Sequence, residues 1–405
     1  MSRTYKITTI GDIMCEPPML AQVTKGDGTY DFKSVFAPLK SYFDEADYVI
    51  GNLETPLAGE EAGYTDCLVA FNTPDEIAKA LKELGMDAVS TANNHCCDRG
   101  QAGLVRTLKV LDEIGLAHTG TYADPDEKDR ILYFTVGDTK IAMIAYTYAY
   151  NKPLKEEWYV DDALERCVNR LRPLRGNMKY VPNPPILQKA RAFVEEVAGR
   201  KLIWEENIKL KKIIGVPVAY ADDLNEWEKY EKYVGYLQED IEEAKKHADL
   251  VFFLPHVGGQ FNVEPGMFSS YIVYQGVKLG ADLVLAAHSH TTQKAAYLNG
   301  VPCFYSLGNV TMWPHSTYSV VESLPEYGLA AHTYVQDGKI VKNGFSVFKM
   351  VQDEGVPLSV IPCDELYGQL TDPGEKAKLA EEVGAIYARV TGKEAPAAIQ
   401  REYEL

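Results

Sequence analysis

Residues 5–14 read Tyr-Lys-Ile-Thr-Thr-Ile-Gly-Asp-Ile-Met. The run Tyr5–Ile13 is apolar and β-branched, as a half-buried strand requires. It closes on Gly11-Asp12, so a carboxylate stands at the strand's carboxyl end. Open α/β sheets hold their ligands at such ends. The pattern recurs downstream. Residues 48–50 form a short apolar run ending in Gly51-Asn52, and residues 88–91 precede Asn93-Asn94-His95. Between them, residues 74–84 carry Ile77, Ala80, Leu81 and Leu84 on one helical face. Residues 103–114 are again helical, with Gly115 where a helix stops. Residues 131–136 and 140–146 predict a hairpin turning at Gly137-Asp138. Further strands are expected at 250–254, 283–286 and 302–306, and an amphipathic helix at 374–391. Alternating strands and helices define the α/β class.

The chain has 405 residues, enough for two or three domains or one large α/β domain with an insertion. With 46% hydrophobic residues it has ample material for a core, which excludes disorder as its main character. No apolar run reaches the roughly 18 residues of a membrane span, and residues 1–14 do not read as a signal peptide. Forty-one basic residues against 58 acidic ones give a net charge of −17. That balance argues against general nucleic-acid binding, which depends on neutralising phosphates. Seven cysteines with no Cys-x-x-Cys pair do not form a disulfide framework and suit a reducing, cytoplasmic compartment.

Residues 150–235 interrupt the alternation. From Arg166 to Lys212 there are twelve Lys and Arg against four acids, a basic island in an acidic chain. Such an island focuses anions locally, and solvated helix faces would account for it equally well. We expect an inserted, mostly helical cap at 151–235. There Arg166, Arg170, Arg172 and Arg175 would bind an anion, with Trp158, Tyr159 and Trp204 as an apolar wall. The spacing of Arg166 and Arg170 predicts two guanidinium groups on one helix face. A cap that serves only oligomer contacts is the competing account.

Five segments offer metal-type donors, each after an expected strand: Gly11-Asp12, Gly51-Asn52-Leu53-Glu54, residues 93–98, Pro255-His256, and His288-Ser289-His290. Asp, Glu, Asn and His suit one or two divalent ions of Mn, Zn, Fe or Mg. A two-metal hydrolytic centre needs a bridging carboxylate, and Glu54 or Asp12 can supply it. Alone, each segment is weak, since an Asp after a strand is usually a turn or cap residue. Five in succession are hard to assign to turns. Five of the eight histidines lie in or near them, counting His315, while His118, His247 and His332 read as structural. Cys96 and Cys97 read as small buried residues, although a thiolate there would favour Zn or Fe.

These segments, with Thr55-Pro56-Leu57, Phe71-Asn72, Asp98-Arg99-Gly100, Gly258, Gly280-Ala281-Asp282 and Tyr305-Ser306-Leu307-Gly308-Asn309, give the chain a resemblance to a known family. It resembles the capsule-synthesis CapA family (poly-gamma-glutamate biosynthesis), a branch of the calcineurin-like metallophosphoesterases. The likeness covers roughly residues 5–150 and 235–350. It implies a four-layer α/β/β/α sandwich. It also implies metal ligands at Asp12, Glu54, Asn94, His256, His288 and His290, with Glu54 at the bridging position. His95 falls at the general-acid position, and Asp98, three residues on, is placed to orient its ring. Asn52 joins the cap arginines and Trp158 as a substrate-binding residue.

The chain departs from the pattern at three places. Met14 stands where a ligand His is usual, Glu54 replaces an Asp, and Gln260 replaces an acid. One metal position is therefore expected to be weak or empty. The expected organisation is a discontinuous main domain at 1–150 and 236–350, the cap at 151–235, and a C-terminal extension at 351–405 packing on the main domain. The expected function is metal-dependent hydrolysis of an anionic small molecule or polymer, a gamma-glutamyl amide or a phosphoester. A non-catalytic polyanion-binding accessory protein is the alternative. Neither a nucleic-acid partner nor a membrane span is expected, and a homo-oligomer is left open.

Overall fold

The chain builds one sheet, then a second, then returns to the first. The computed structural model describes residues 3–67, 70–151, 166–172, 185–200, 210, 213–214, 222, 230–314, 316, 319–352 and 358–405. Strands β1 (Tyr5–Ile13), β2 (Tyr48–Leu53), β3 (Ala88–Ser90) and β4 (Ala117–Thr119) lie parallel in that order. The second sheet comprises β5 (Leu132–Val136), β6 (Thr139–Thr147), β7 (Leu250–His256), β8 (Leu283–Leu285), β9 (Ala295–Leu298) and β10 (Val301–Phe304). Its spatial order is β5-β6-β7-β8-β10-β9. The chain re-enters the first sheet through β11 (Asn309–Thr311), β12 (Tyr327–Gln336), β13 (Lys339–Val351), β14 (Ser359–Pro362) and β15 (Tyr403–Glu404). The path there is β14-β13-β12-β1-β2-β3-β4, with β11 on β1 and β15 on β13.

Side-chain alternation along the strands separates three cores. Ile7, Ile50, Met143, Phe252, Leu254, Leu285 and Phe304 meet between the two sheets. Ile10, Ile13, Val49 and Leu53 face the other way, onto helices that include Phe32–Phe36 and Glu76–Leu84. On the far side, Ile144, Val251 and Phe253 pack against helices Glu231–His247 and Met267–Leu279. The result is the four-layer α/β/β/α sandwich. Glu76–Leu84 buries the expected residues 77, 80, 81 and 84 and stops at Gly85 in the left-handed region. Gly100–Ile114 stops at Gly115 in the same way. The hairpin forms as expected, with Gly137 at φ 64° between β5 and β6.

The C-terminal residues are built into the body of the protein. β14 and β15 both pair with β13. Helix Pro373–Thr391, capped by Asp372 at its start, buries Leu379, Val383, Ile386 and Val390 in the inter-sheet core. Helix Glu231–His247 crosses the boundary expected at residues 235/236. The expected helical face at Arg166 and Arg170 is corrected by the structure. Val168 and Arg170 form β-bridges with Thr121 and Thr147. The Thr147 amide donates to Asn169 O, and the Leu171 amide donates to Thr147 O. Backbone pairing at the end of β6 outweighs local helix preference there. Trp158, Tyr159, Arg175, Trp204 and His315 lie outside the described residues.

Candidate metal centre

A phase slip in β1 aims Asp12. Ile10 and Ile13 both face the helices, although strict alternation would place them on opposite faces. The register with β2 shifts between Thr9 and Asp12, a bulge that turns Asp12 toward the space between the sheets. Gly11 permits this, because a Cβ there would lie 1.9 Å from Gly308 O, and the Asp12 amide donates to that same carbonyl. On β2 alternation is kept, so Ile50, Asn52 and Glu54 point inward. Asp12 and Asn52 are cross-strand partners.

Donors from both sheets converge on this space. One ligand atom each from Glu54, His256 and His288 lie within 4.8 Å of one another, and the same holds for Asp12, Glu54 and His290. Glu54 belongs to both groups, so it occupies the shared position. Asn94 joins the first group, its Oδ1 2.7 Å from His256 Nε2. All six residues are buried, and Asp12 and Glu54 have no exposed surface. Neither Glu54 oxygen has a hydrogen-bond partner among the described residues. The nearest imidazole nitrogens are His256 Nε2 at 3.2 Å and His290 Nε2 at 3.7 Å.

The electrostatics of the space favour positive charge. Burial alone would raise the Asp12 carboxyl, but the hydrogen bond from His290 and the charges of His256 and His290 hold it below the usual value. Burial alone would lower His290, yet Glu54 and Asp12 push it up to about 9. The two carboxylates thus favour positive charge between them.

Beside the donors, His95 Nδ1 lies 2.6 Å from Asp98 Oδ2. The Phe71 amide also donates to that oxygen at 2.6 Å, so the carboxylate accepts and the His95 proton sits on Nδ1. Nε2 is left facing Glu54 Oε1 at 4.0 Å. The Phe71 ring covers the imidazole at 4.3 Å.

Asn52 acts on the ligands. Its amide nitrogen donates to Asp12 Oδ1 at 2.7 Å and lies 3.1 Å from His256 Nδ1. It thereby links Asp12 to His256 across the two sheets. Sequence reasoning missed Asn309, whose Oδ1 lies 2.9 Å from His290 Nδ1 and whose amide donates to His290 O. Its place after Gly308 at a strand start was the available signal. The Tyr148 ring packs tilted against His288, centroids 4.6 Å apart, and Arg172 lies 4.4 Å over Tyr148. Arg170 is buried against Tyr150 and Tyr233, while Arg166 is exposed over Tyr236. Cys96 and Cys97 are buried with sulfurs 3.8 Å apart, and neither belongs to the donor groups. All seven cysteines are free. His118 and His247 make surface ion pairs, and His332 is buried between Thr8 and Ser346.

Two sheets face to face, with Asp, Glu, Asn and His donors converging at their strand ends, are consistent with the metallophosphoesterase class. The chain belongs to the bacterial capsule synthesis protein PGA_cap family, whose family model matches residues 6–312. It is similar to the capsule biosynthesis protein CapA of Bacillus anthracis, 24% identical over 383 residues, which covers 92% of this chain and 74% of that one. It is also similar to the PGA biosynthesis protein CapA of Bacillus subtilis (strain 168), 24% identical over 322 residues, covering 79% and 66%. Among solved structures, a hypothetical protein from Thermus thermophilus aligns over 85% of this chain and 99% of its own, at 15% identity and a TM-score of 0.41. No helix among the described residues is long and apolar enough to cross a membrane.

Proposed function

We propose that this protein is a metal-dependent hydrolase acting on an anionic substrate of the capsule-polymer type, a gamma-glutamyl amide or polymer, or on a phosphoester. The observation that carries this reading is Glu54. It is a fully buried carboxylate with no hydrogen-bond partner among the described residues, and it is shared by two donor groups. An unpaired buried carboxylate is costly unless a cation balances it. The oxygen and nitrogen donors around it suit Mn, Zn, Fe or Mg.

Asp12, Glu54 and His290 would hold one ion, and Glu54, Asn94, His256 and His288 the other. Ions so held would supply Lewis acidity and a water activated for attack. The protein's own groups supply the proton. Asp98 fixes the His95 tautomer and leaves Nε2 on the donor side of the ring. Protonated at Nε2, His95 gives its proton to the leaving nitrogen or oxygen as the scissile bond breaks. Arg172, stacked on Tyr148 beside His288, is the best placed of the described cap arginines to receive an anionic group. Arg166, Arg170 and Arg175 are proposed for further anionic contacts within the 151–235 cap.

Met14 favours a second reading. Without a His at that position, the Asp12 group has three protein donors, which suits a non-catalytic polyanion-binding accessory protein. Metal analysis combined with a screen of gamma-glutamyl and phosphoester substrates separates the two. Two bound ions with turnover support the enzyme, and binding of polyanion without metal or turnover supports the accessory role.

A further inference from the structure

We infer that Arg389, on the C-terminal helix Pro373–Thr391, is a positioning residue that fixes the loop carrying His288 and His290. Through that loop it holds the metal position formed by Asp12, Glu54 and His290. The inference rests on the metal-centre reading above. Residue 389 lies outside the 6–312 segment that the family model matches.

The loop has an unfavourable backbone. His288 has φ 96° and His290 has φ 52°, a left-handed region that residues with a Cβ rarely adopt. Each such residue persists only where its surroundings enforce it. The start of the loop is fixed from β7 and β1. The Ala287 amide donates to Pro255 O at 3.1 Å, and the His288 amide donates to Asp12 Oδ2 at 3.1 Å.

The end of the loop is held at His290 by Asn309 and, beyond it, by Arg389. Its Nη1 donates to Thr291 Oγ1 at 2.9 Å and to Ser323 O at 2.8 Å, with Thr292 O and Oγ1 both at 3.3 Å. Thr291 Oγ1 in turn donates to Ser323 O at 2.6 Å. Thr291 and Thr292 have no exposed surface. One guanidinium nitrogen thus ties together the two residues after His290 and a loop 32 residues on from Thr291. Burial pulls the Arg389 guanidinium down, opposed by Glu264 acting at a distance. A guanidinium placed among hydroxyls and carbonyls in this way sets geometry.

The two metal positions should not depend on Arg389 equally. The Glu54, His256 and His288 group is supplemented by Asn94 and begins on β7, whose pairing is independent of the C-terminal helix. The Asp12 group has three protein donors, so it depends more on the placement of His290.

The test is equilibrium dialysis of the full chain against graded Mn²⁺ or Zn²⁺, with metal per chain read by elemental analysis for wild type, Arg389→Met, Arg389→Lys and Thr291→Val. Wild type should take up two ions. Arg389→Met and Thr291→Val should weaken one of them by about 10–100-fold, the usual range for groups that orient ligands, and leave the other unchanged. Arg389→Lys should recover part of the loss. Equal weakening of both ions, or unchanged binding of both, would overturn the assignment. Should Arg389→Met fail to fold, Thr291→Val removes the same contact within the loop and decides the matter. If wild type binds no metal, the metal-centre reading itself fails, a separate outcome from an unaffected Arg389 variant.

Discussion

Asp98 Oδ2 accepts two hydrogen bonds at 2.6 Å, one from His95 Nδ1 and one from the Phe71 amide. The second bond anchors the carboxylate to the backbone, so the carboxylate in turn fixes the imidazole. His95 is thereby held in one tautomer, with Nε2 toward the donor cluster. His95→Ala should lower turnover by about 10²–10⁴-fold, the contribution of a positioned acid, with metal content near wild type. Asp98→Asn should lower turnover less and shift the pH–rate profile. Metal loss in His95→Ala would make His95 a ligand instead.

Arg172→Ala should raise KM for an anionic substrate and leave kcat within a few-fold, because its guanidinium covers Tyr148 on the His288 side of the centre. Arg166→Ala, at an exposed position over Tyr236, should change KM less. Steady-state kinetics at several salt concentrations check this, since a charge contact weakens as salt rises. Equal effects of the two substitutions would mean that distance from the centre does not decide substrate affinity.

Acid should destabilise the protein in two overlapping windows. Burial holds His332 down to about 3, against 6.5 for a free histidine. Between those values the unfolded chain binds the extra proton, so stability is lost as pH falls from 6.5 toward 3. Burial alone would raise Glu402, but the Tyr334 hydroxyl, Lys6 and Lys342 hold it at about 2, against 4.5. Its contribution is present above pH 4.5 and is lost as pH falls toward 2. His332→Gln should flatten the first window by roughly 2–4 kcal/mol. Glu402→Gln should flatten the second by less, because its side chain keeps some solvent contact. Urea unfolding midpoints from pH 7 to pH 3 measure both, and a wild-type profile that is flat from 6.5 to 4 would contradict the His332 account.

The fold was legible where local pattern and tertiary role agree. Tyr5–Ile13 is β-branched and is a strand over those residues, and residues 77, 80, 81 and 84 are the buried face of a helix. The candidate donor segments stood out because each follows a strand. Two kinds of feature were not. The 166–172 segment carries its chemistry in side chains, but its shape comes from pairing with Thr121 and Thr147, which no local period encodes. Asn52 and Asn309 act through hydrogen bonds to candidate donors distant in sequence, so neither shows a role until the chain is folded. The same holds for Arg389, which reads as an ordinary basic residue near a helix end.

Glu54 decides the central claim, because both donor groups share it. The most direct measurement is the metal stoichiometry of wild type and Glu54→Gln after reconstitution with Mn²⁺ or Zn²⁺ and removal of free ion. The account predicts two ions per wild-type chain, and less than one in Glu54→Gln, since a single substitution removes the bridging charge from both positions. A wild-type chain that retains no metal, or a Glu54→Gln chain that retains both ions at wild-type affinity, would contradict it.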